Sequence, residues 1–335
     1  MKILHLATVM PHGSGLYESA HDLVAAERAS GLDSCIIDPN WPVVDRDVPI
    51  GGGERVAGAC DVIVSHSGLG LYAEIQKPIV QVFHGRPESS YRLEQQGVSA
   101  VVSGAAGLRN DPRYQAFVTL WQSHVPFWSL VLDDIKIDVA NPPIDLAAWS
   151  PTTTKRYDFH GQRGELNVVC SDMWRSDKTP FCLLPAFALF ADQNPGAKLH
   201  LYGVPDKRDG LEPVLERLRE RGQLGEVCGR VDCLKEVYQA ADMLISPHGI
   251  VTRAIGEALA CGCPVVAGAG IGLPISVVNA EPDDPYAVSG AMNTLAGLDR
   301  NDVRTAARTT AENEFDSMRA AASLKAIYEK VLEAK

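Results

Sequence analysis

The 335-residue sequence predicts an α/β protein made of two doubly wound parallel-sheet domains. Three observations lead there. Short, nearly continuous apolar runs alternate with longer stretches of helical spacing, which is the signature of strands covered on both faces. Several of those runs break at their carboxyl ends into glycine, proline or polar loops. The alternation pauses over the proline-bearing Asn141–Pro151 and then starts again at Leu166, so the chain reads as two sheets in series.

Composition supports two cores. Hydrophobic residues make up 46% of a chain long enough to bury two of them. No apolar run approaches the roughly 20 residues of a membrane-spanning helix. The opening MKILHLATVM has no small-residue cleavage site and reads as a first strand rather than a leader. The eight cysteines contain no C-x-x-C pair and lie mostly in apolar runs, which points to core thiols of a cytoplasmic protein. A formal net charge of −11 argues against nucleic acid or an anionic membrane as a general partner.

In the first half, Lys2–Ala7 is a strand-like run, followed by the glycine loop Met10–Gly15 and a helix from Leu16 to Ser30 with Leu16, Ala20, Leu23 and Val24 on one face. The loop does not have the G-x-G-x-x-G spacing of a dinucleotide site. Ser34–Asp38, Asp61–Ser65 and Pro78–His84 read as further strands, the last placing His84 at a strand's carboxyl end, where α/β sheets hold ligands. Ala100–Ser103 and Ile135–Val139 read as strands, and Leu120–Leu132 as a buried helix or crossing segment. Arg86 and Arg92 read as solvated. The one Asp-x-Asp, Asp45-Arg-Asp47, lies in a proline-flanked loop and reads as solvated charge. The charged, patternless Thr152–Arg163 reads as a linker.

In the second half, strands are expected at Leu166–Cys170, Ala197–Gly203, Asp242–Ser246 and Cys263–Ala267. Helices are expected at Thr179–Asp192, Leu211–Arg221, from Thr252 to the stop at Gly262, and at Phe315–Leu332. The polar loop Ser171–Lys178 follows the first of these strands. Ser246-Pro-His-Gly-Ile-Val-Thr-Arg253 joins a buried strand to a helix that Thr252 is placed to cap. Such a helix start presents backbone N–H groups well suited to a phosphate. Read alone, Arg253 and Glu257 form an ordinary solvated i,i+4 charge pair.

The run Ser246–Gly268, with Gly-Glu-Ala-Leu-Ala-Cys-Gly-Cys-Pro-Val-Val at its centre, resembles the donor-binding signature of retaining glycosyltransferases of the GT-B fold. That signature has two glutamates separated by seven residues. Glu257 falls on the second, whereas the first falls on Gly249. Asp61-Val-Ile-Val-Ser-His66 and Pro78-Ile-Val-Gln-Val-Phe-His-Gly85 resemble the family's run whose second His-Gly faces the donor sugar. His66 is the earlier histidine of that run and His84 the one assigned to the sugar. Asn141–Pro151 resembles the interdomain signature, Val227–Val231 the family strand whose end lines the base pocket and Leu234–Ala241 the helix after it, Asn279–Pro285 the acidic-proline loop before a late helix, and Phe315–Leu332 the closing helix. The motifs run in order over nearly the whole chain.

The resemblance implies two Rossmann-like domains facing each other across a crevice. It gives residues 1–150 as the acceptor-side domain, 151–312 as the nucleotide-sugar domain, and 313–335 as a helix packing back toward the first. It implies a retaining transfer from a nucleoside-diphosphate sugar, UDP- or GDP-linked, to an unidentified hydroxyl on a small molecule, glycan, protein or modified nucleobase, with no cofactor and no metal. Lys178 matches the lysine that grips the diphosphate, with Arg175 standing in for an arginine. Gly13 or Gly15 would let the donor or acceptor approach the backbone. Gly203, Arg230, His248, Gly249, Ile250, Val251, Thr252, Arg253 and Glu257 line the donor site, Glu257 taking ribose hydroxyls. Gly249 in place of a carboxylate leaves three readings: an unusual donor, replacement by His248, or loss of catalysis. A GT-B sugar-nucleotide epimerase and an inactive partner subunit are the alternatives.

Overall fold

The computed structural model describes residues 1–7, 15–37, 58–66, 76–87, 97–133, 135–151, 157–172, 180–204, 210–268 and 276–334. The sequence motifs at Gly13, Asp45-Arg-Asp47, Arg92, Arg175 and Lys178 lie outside them.

The chain divides into two compact units, Met1–Asp145 with Phe315–Lys335, and Leu146–Glu314. The first break falls just before Leu146 because that stretch is tied into the second unit: Arg308 Nη1 donates to the carbonyls of Leu146 and Trp149, and Gln239 Nε2 to that of Ser150. The described residues include no helix long and apolar enough to cross a membrane.

In the first unit, strands β1 (Lys2–Leu6), β2 (Asp33–Ile37), β3 (Val62–Ser65), β4 (Ile79–Phe83), β5 (Tyr114–Thr119) and β6 (Ile137–Val139) form one sheet in the order β2-β1-β3-β4-β5-β6. Every pairing is parallel. The order reverses at β1, whose neighbours β2 and β3 lie on opposite sides, so the crevice between β1 and β3 at their carboxyl ends is the sheet's switch point. Helix α1 (Gly15–Ala29) follows β1. Helices α2 (Val98–Asn110) and α3 (Val125–Val131) lie in the second half of the unit. The period of two along β1 sends Ile3 into a core with Leu23, Val64, Leu324 and Tyr328, and Leu4 and Leu6 into another with Ile37 and Ile63.

The second unit repeats the plan. Strands β7 (Asn167–Cys170), β8 (Lys198–Leu201), β9 (Leu224–Val227), β10 (Met243–Ser246), β11 (Val265–Gly268) and β12 (Val277–Ala280) form a parallel sheet in the order β12-β11-β10-β7-β8-β9. Its switch point lies between β7 and β10. The helices are α4 (Pro180–Gln193), α5 (Glu212–Glu220), α6 (Leu234–Ala240), α7 (Arg253–Ala260), α8 (Pro285–Ala296) and α9 (Arg300–Glu314). Helix α8 is capped by Asp284, whose carboxylate accepts from the N–H groups of Tyr286 and Ala287.

Helix α10 (Ser317–Glu333) belongs to the first unit. Asp316 caps it, and Ile144 clips its start through bonds from Ile144 N to Phe315 O and from Ser317 N to Ile144 O. Leu324, Ile327 and Tyr328 then enter the first sheet's core.

Three expectations are corrected. Ala100–Ser103 is helix, not strand: within α2 only Val101 and Ala105 are buried, an i,i+4 pair, whereas Val98 and Val102 face solvent. The strand expected at Val227–Val231 lies at Leu224–Val227: it pairs with β8 at Leu199–Leu224 and Leu201–Val227, and the next carbonyls, of Cys228 and Gly229, accept from the Val204 and Gly203 N–H groups past the end of β8. Residues 157–163 are no linker. Phe159 is fully buried and stacks on His200, while Tyr157 and His160 both bond the buried Glu226.

Candidate functional site

Each sheet carries a polar cluster where its strand order reverses. In the second unit, β10 ends at Ser246 and β7 runs out into Ser171-Asp172. Asp172, Ser246 and His248 are all buried. Ser246 Oγ donates to Asp172 Oδ2 at 2.5 Å, and His248 Nε2 lies 2.9 Å from the same oxygen. With Nε2–H donating to the carboxylate, His248 Nδ1 is left as a bare acceptor, and this buried atom has no hydrogen-bond partner. Tyr238 and Ser171 hydroxyls bond at 2.6 Å on the same strand end.

The backbone around this cluster is shaped by two glycines. Gly203, at φ +77°, lies in the left-handed region beside the carbonyl of Asp172. Its N–H donates to Gly229 O at 2.9 Å, which brings the Gly229-Arg230 turn to the same rim. Arg230 itself is exposed. At Gly268 a Cβ would stand 2.3 Å from the His248 carbonyl, so the end of β11 closes on the Pro247-His248 loop only because no side chain intervenes.

Gly249, Ile250, Val251 and Thr252 lead from β10 into α7, all half-buried. Thr252 occupies the N-cap position with extended backbone, but its hydroxyl makes no capping bond. That buried Oγ1 is a second polar atom without a partner. The start of α7 is therefore uncapped by side chain, with the helix's positive end and its first N–H groups at the strand edge. The solvated reading of Arg253 and Glu257 fails: their side chains are 10% and 11% exposed and meet at 2.6 Å, Nε to Oε1. A paired, nearly dry carboxylate is a strong acceptor for hydroxyls.

In the first unit, His84 stands just past β4, half-buried. Gly85, next to it, is pinned by Trp128 Nε1 donating to its carbonyl at 2.8 Å, and Arg86 lies over the Phe127 ring. Burial pushes the His84 imidazole down to about 4, so it is neutral near pH 7. Its Nε2 is 2.8 Å from Nδ1 of His66, which leads back through His5 to Glu27. Sequence reasoning singled out His84 and named His66, but missed His5 and Glu27; only the strand order places them together. It also missed Asp172 and Ser246 as partners of His248. Gly15 opens α1 at an exposed position.

Residues 166–296 match the family model described as glycosyl transferases group 1. A D-inositol 3-phosphate glycosyltransferase of Mycobacteroides abscessus is 31% identical over 162 residues, covering 44% of this chain and 34% of that protein. One of Rhodococcus erythropolis is 30% identical over 164 residues, covering 44% and 36%. The matched region thus spans about a third of the length of these relatives. Among solved structures, Anabaena Alr3699/HepE in complex with UDP superposes with a TM-score of 0.72 at 16% identity, over 98% of this chain and 100% of that one. The fold is accordingly GT-B, two Rossmann-like domains, and the segment similar to group 1 glycosyl transferases contains the whole β7–β10 switch point with its Asp172–Ser246–His248 cluster.

Proposed function

We propose that the protein is a glycosyltransferase that takes a sugar from a nucleoside-diphosphate sugar, UDP- or GDP-linked, and passes it with retention to an acceptor hydroxyl. One observation carries this: within the segment similar to group 1 glycosyl transferases, two buried polar atoms without partners, His248 Nδ1 and Thr252 Oγ1, accompany an uncapped helix start at the carboxyl edge of the sheet. Such an edge suits a phosphorylated ligand.

In this reading the N–H groups at the start of α7 hold the diphosphate, with Lys178 and Arg175 as its cationic partners. Glu257, fixed by Arg253, accepts from the ribose hydroxyls. His248 Nδ1 takes a sugar hydroxyl, replacing the carboxylate that Gly249 lacks. Gly203 and Arg230 border the base, and the resemblance assigns His84 to the transferred sugar. Stabilising the departing diphosphate and holding the acceptor on the face from which it leaves supply the rate enhancement, and neither task needs a metal.

A thermal-shift series with UDP, GDP, ADP, TDP and CDP and their common sugars tests the reading. A ligand at about 100 times its Kd stabilises by about 2.7 kcal/mol. One nucleotide standing clear of the rest supports the donor site, and the anomeric configuration of the transferred sugar then checks retention. A flat panel would overturn it in favour of a non-catalytic subunit.

A further inference from the structure

Four side chains from four elements of the first unit form a continuous chain at its switch point. Glu27 of α1 and His5 of β1 are fully buried, and His66, just past β3, is 5% exposed. His5 Nε2 lies 2.8 Å from Glu27 Oε2, His5 Nδ1 2.9 Å from His66 Nε2, and His66 Nδ1 2.8 Å from His84 Nε2. These are hydrogen-bond lengths, and the rings face one another nitrogen to nitrogen. Glu27 is held by two further donors, the hydroxyls of Ser34 and of Tyr328, the latter at 2.8 Å. Burial by itself would raise this carboxyl, but His5, Ser34 and Tyr328 together hold it below its ordinary value, as an anion.

With Glu27 anionic, His5 Nε2 must carry a proton, and each remaining contact has room for one. Only two arrangements leave His66 and His84 uncharged. In the first all three imidazoles are neutral, each with its proton on Nε2, and His84 Nδ1 is a bare acceptor. In the second, one proton richer, His5 is an imidazolium against Glu27, and His66 and His84 carry their protons on Nδ1. Burial disfavours charge on His66 and His84 themselves. Beside Glu27 the charge is paired. Among the described residues, the other charged or titratable groups near the relay include Tyr328 on α10, Arg86 two residues beyond His84, and His124, which Arg86 faces.

We propose that His84 is the mouth of a one-proton relay, accepting a proton at Nδ1 while the charge comes to rest on His5 against Glu27. The incoming proton forms the Nδ1–H bond of His84; its Nε2 proton passes to His66 Nδ1, and the Nε2 proton of His66 passes to His5 Nδ1. No atom is oxidised or reduced. In glycosyl transfer the proton is that of the acceptor hydroxyl: its O–H bond breaks as its oxygen bonds the anomeric carbon, and the bond from that carbon to the nucleoside diphosphate breaks, the diphosphate leaving with the electron pair; this use rests on the proposed function, whereas the relay does not. His84 is then the catalytic base, and Glu27, His5 and His66 act through it as positioning residues.

The test is a pH titration of the full chain labelled with ¹⁵N-histidine, followed by two-bond ¹H–¹⁵N correlation. On acidification His5 becomes doubly protonated while His66 and His84 switch from Nε2–H to Nδ1–H, all with one midpoint. Double protonation of His84 itself, or His5 titrating with the other tautomers unmoved, overturns the relay. Tyr328→Phe, which removes a bond to the anion, raises the midpoint, and Glu27→Gln lowers it by about a unit or more. The phenylalanine variant keeps the test open should the glutamine variant fail to fold, and an unmoved midpoint in it overturns the anchor role of Glu27. With a working donor and acceptor, Glu27→Gln lowers kcat by about 100-fold at unchanged KM for the donor, on the scale of acid–base catalysis. Donor binding without a shared midpoint defeats the relay alone, and a shared midpoint without donor binding defeats only the glycosyl-transfer reading.

Discussion

His248 and Glu257 sit on the same strand-to-helix connection, yet their substitution should have different consequences. The bare Nδ1 of His248 stands one residue before the glycine that replaces a carboxylate in the resembled signature. If it takes a sugar hydroxyl, His248→Ala weakens the nucleotide sugar about 10-fold, worth ~1.4 kcal/mol, and leaves the free nucleotide within about 2-fold. Glu257→Ala instead weakens both by about 1.5–3 kcal/mol, the scale of a hydrogen bond to a charged group. Calorimetric titration of each variant with both ligands separates the cases. Equal losses for His248→Ala would move it from the sugar to the phosphate, and unchanged affinity for Glu257→Ala would leave its pair with Arg253 as a purely structural one.

At the scale of elements, the close approaches of backbone carry the clearest expectations. Gly268→Ala would press a Cβ into the His248 carbonyl, 2.3 Å away, so β11 and the Pro247-His248 loop cannot keep their spacing. Overpacking of this kind costs about 1–3 kcal/mol, and here the strain falls on the proposed donor site. Denaturant unfolding should show the loss, and nucleotide affinity should fall in the same variant; an alanine with wild-type affinity would mean the loop relaxes freely. Most strands were legible as apolar runs, and α7 as a spaced face ending at Gly262. Ala100-Val-Val-Ser103 misled because a four-residue window cannot show that only Val101 and Ala105 turn inward. Strand β5 went unseen because Tyr114-Gln-Ala-Phe-Val-Thr119 carries its buried residues only at the end. The start of α7 was legible as a motif. Asp172 was not, since its bond to His248 spans 76 positions in sequence and exists only because β7 and β10 are neighbours.

Across the whole molecule, both units hide neutral histidines, and this sets the direction of their pH dependence. His200 in the second unit is fully buried between two fixed partners: its Nδ1 accepts from the Glu226 N–H and its Nε2 meets Asn167 Oδ1, each at 3.2 Å. An added proton would have to go on Nδ1, where it would oppose the backbone donor. Burial, with Lys198 and Arg163 nearby, accordingly lowers this imidazole to about 3. Burial, aided by Arg86, lowers His124 in the first unit to about 4. Unfolded histidines titrate near 6.5. Between that value and the folded one the unfolded chain binds more protons, so stability falls as pH falls. Each unit should therefore lose stability from about pH 6.5 down toward pH 3–4, before carboxylates such as Glu27 add their own loss below about pH 4.5. Calorimetric scans over this range check it, and His200→Asn identifies one source. Its loss should flatten the slope for the second unit and leave that of the first, because no bond of His200 leaves the unit it is folded into. An unchanged slope in both units would mean that His200 is already protonated in the folded chain, and that the Glu226 N–H has found another partner.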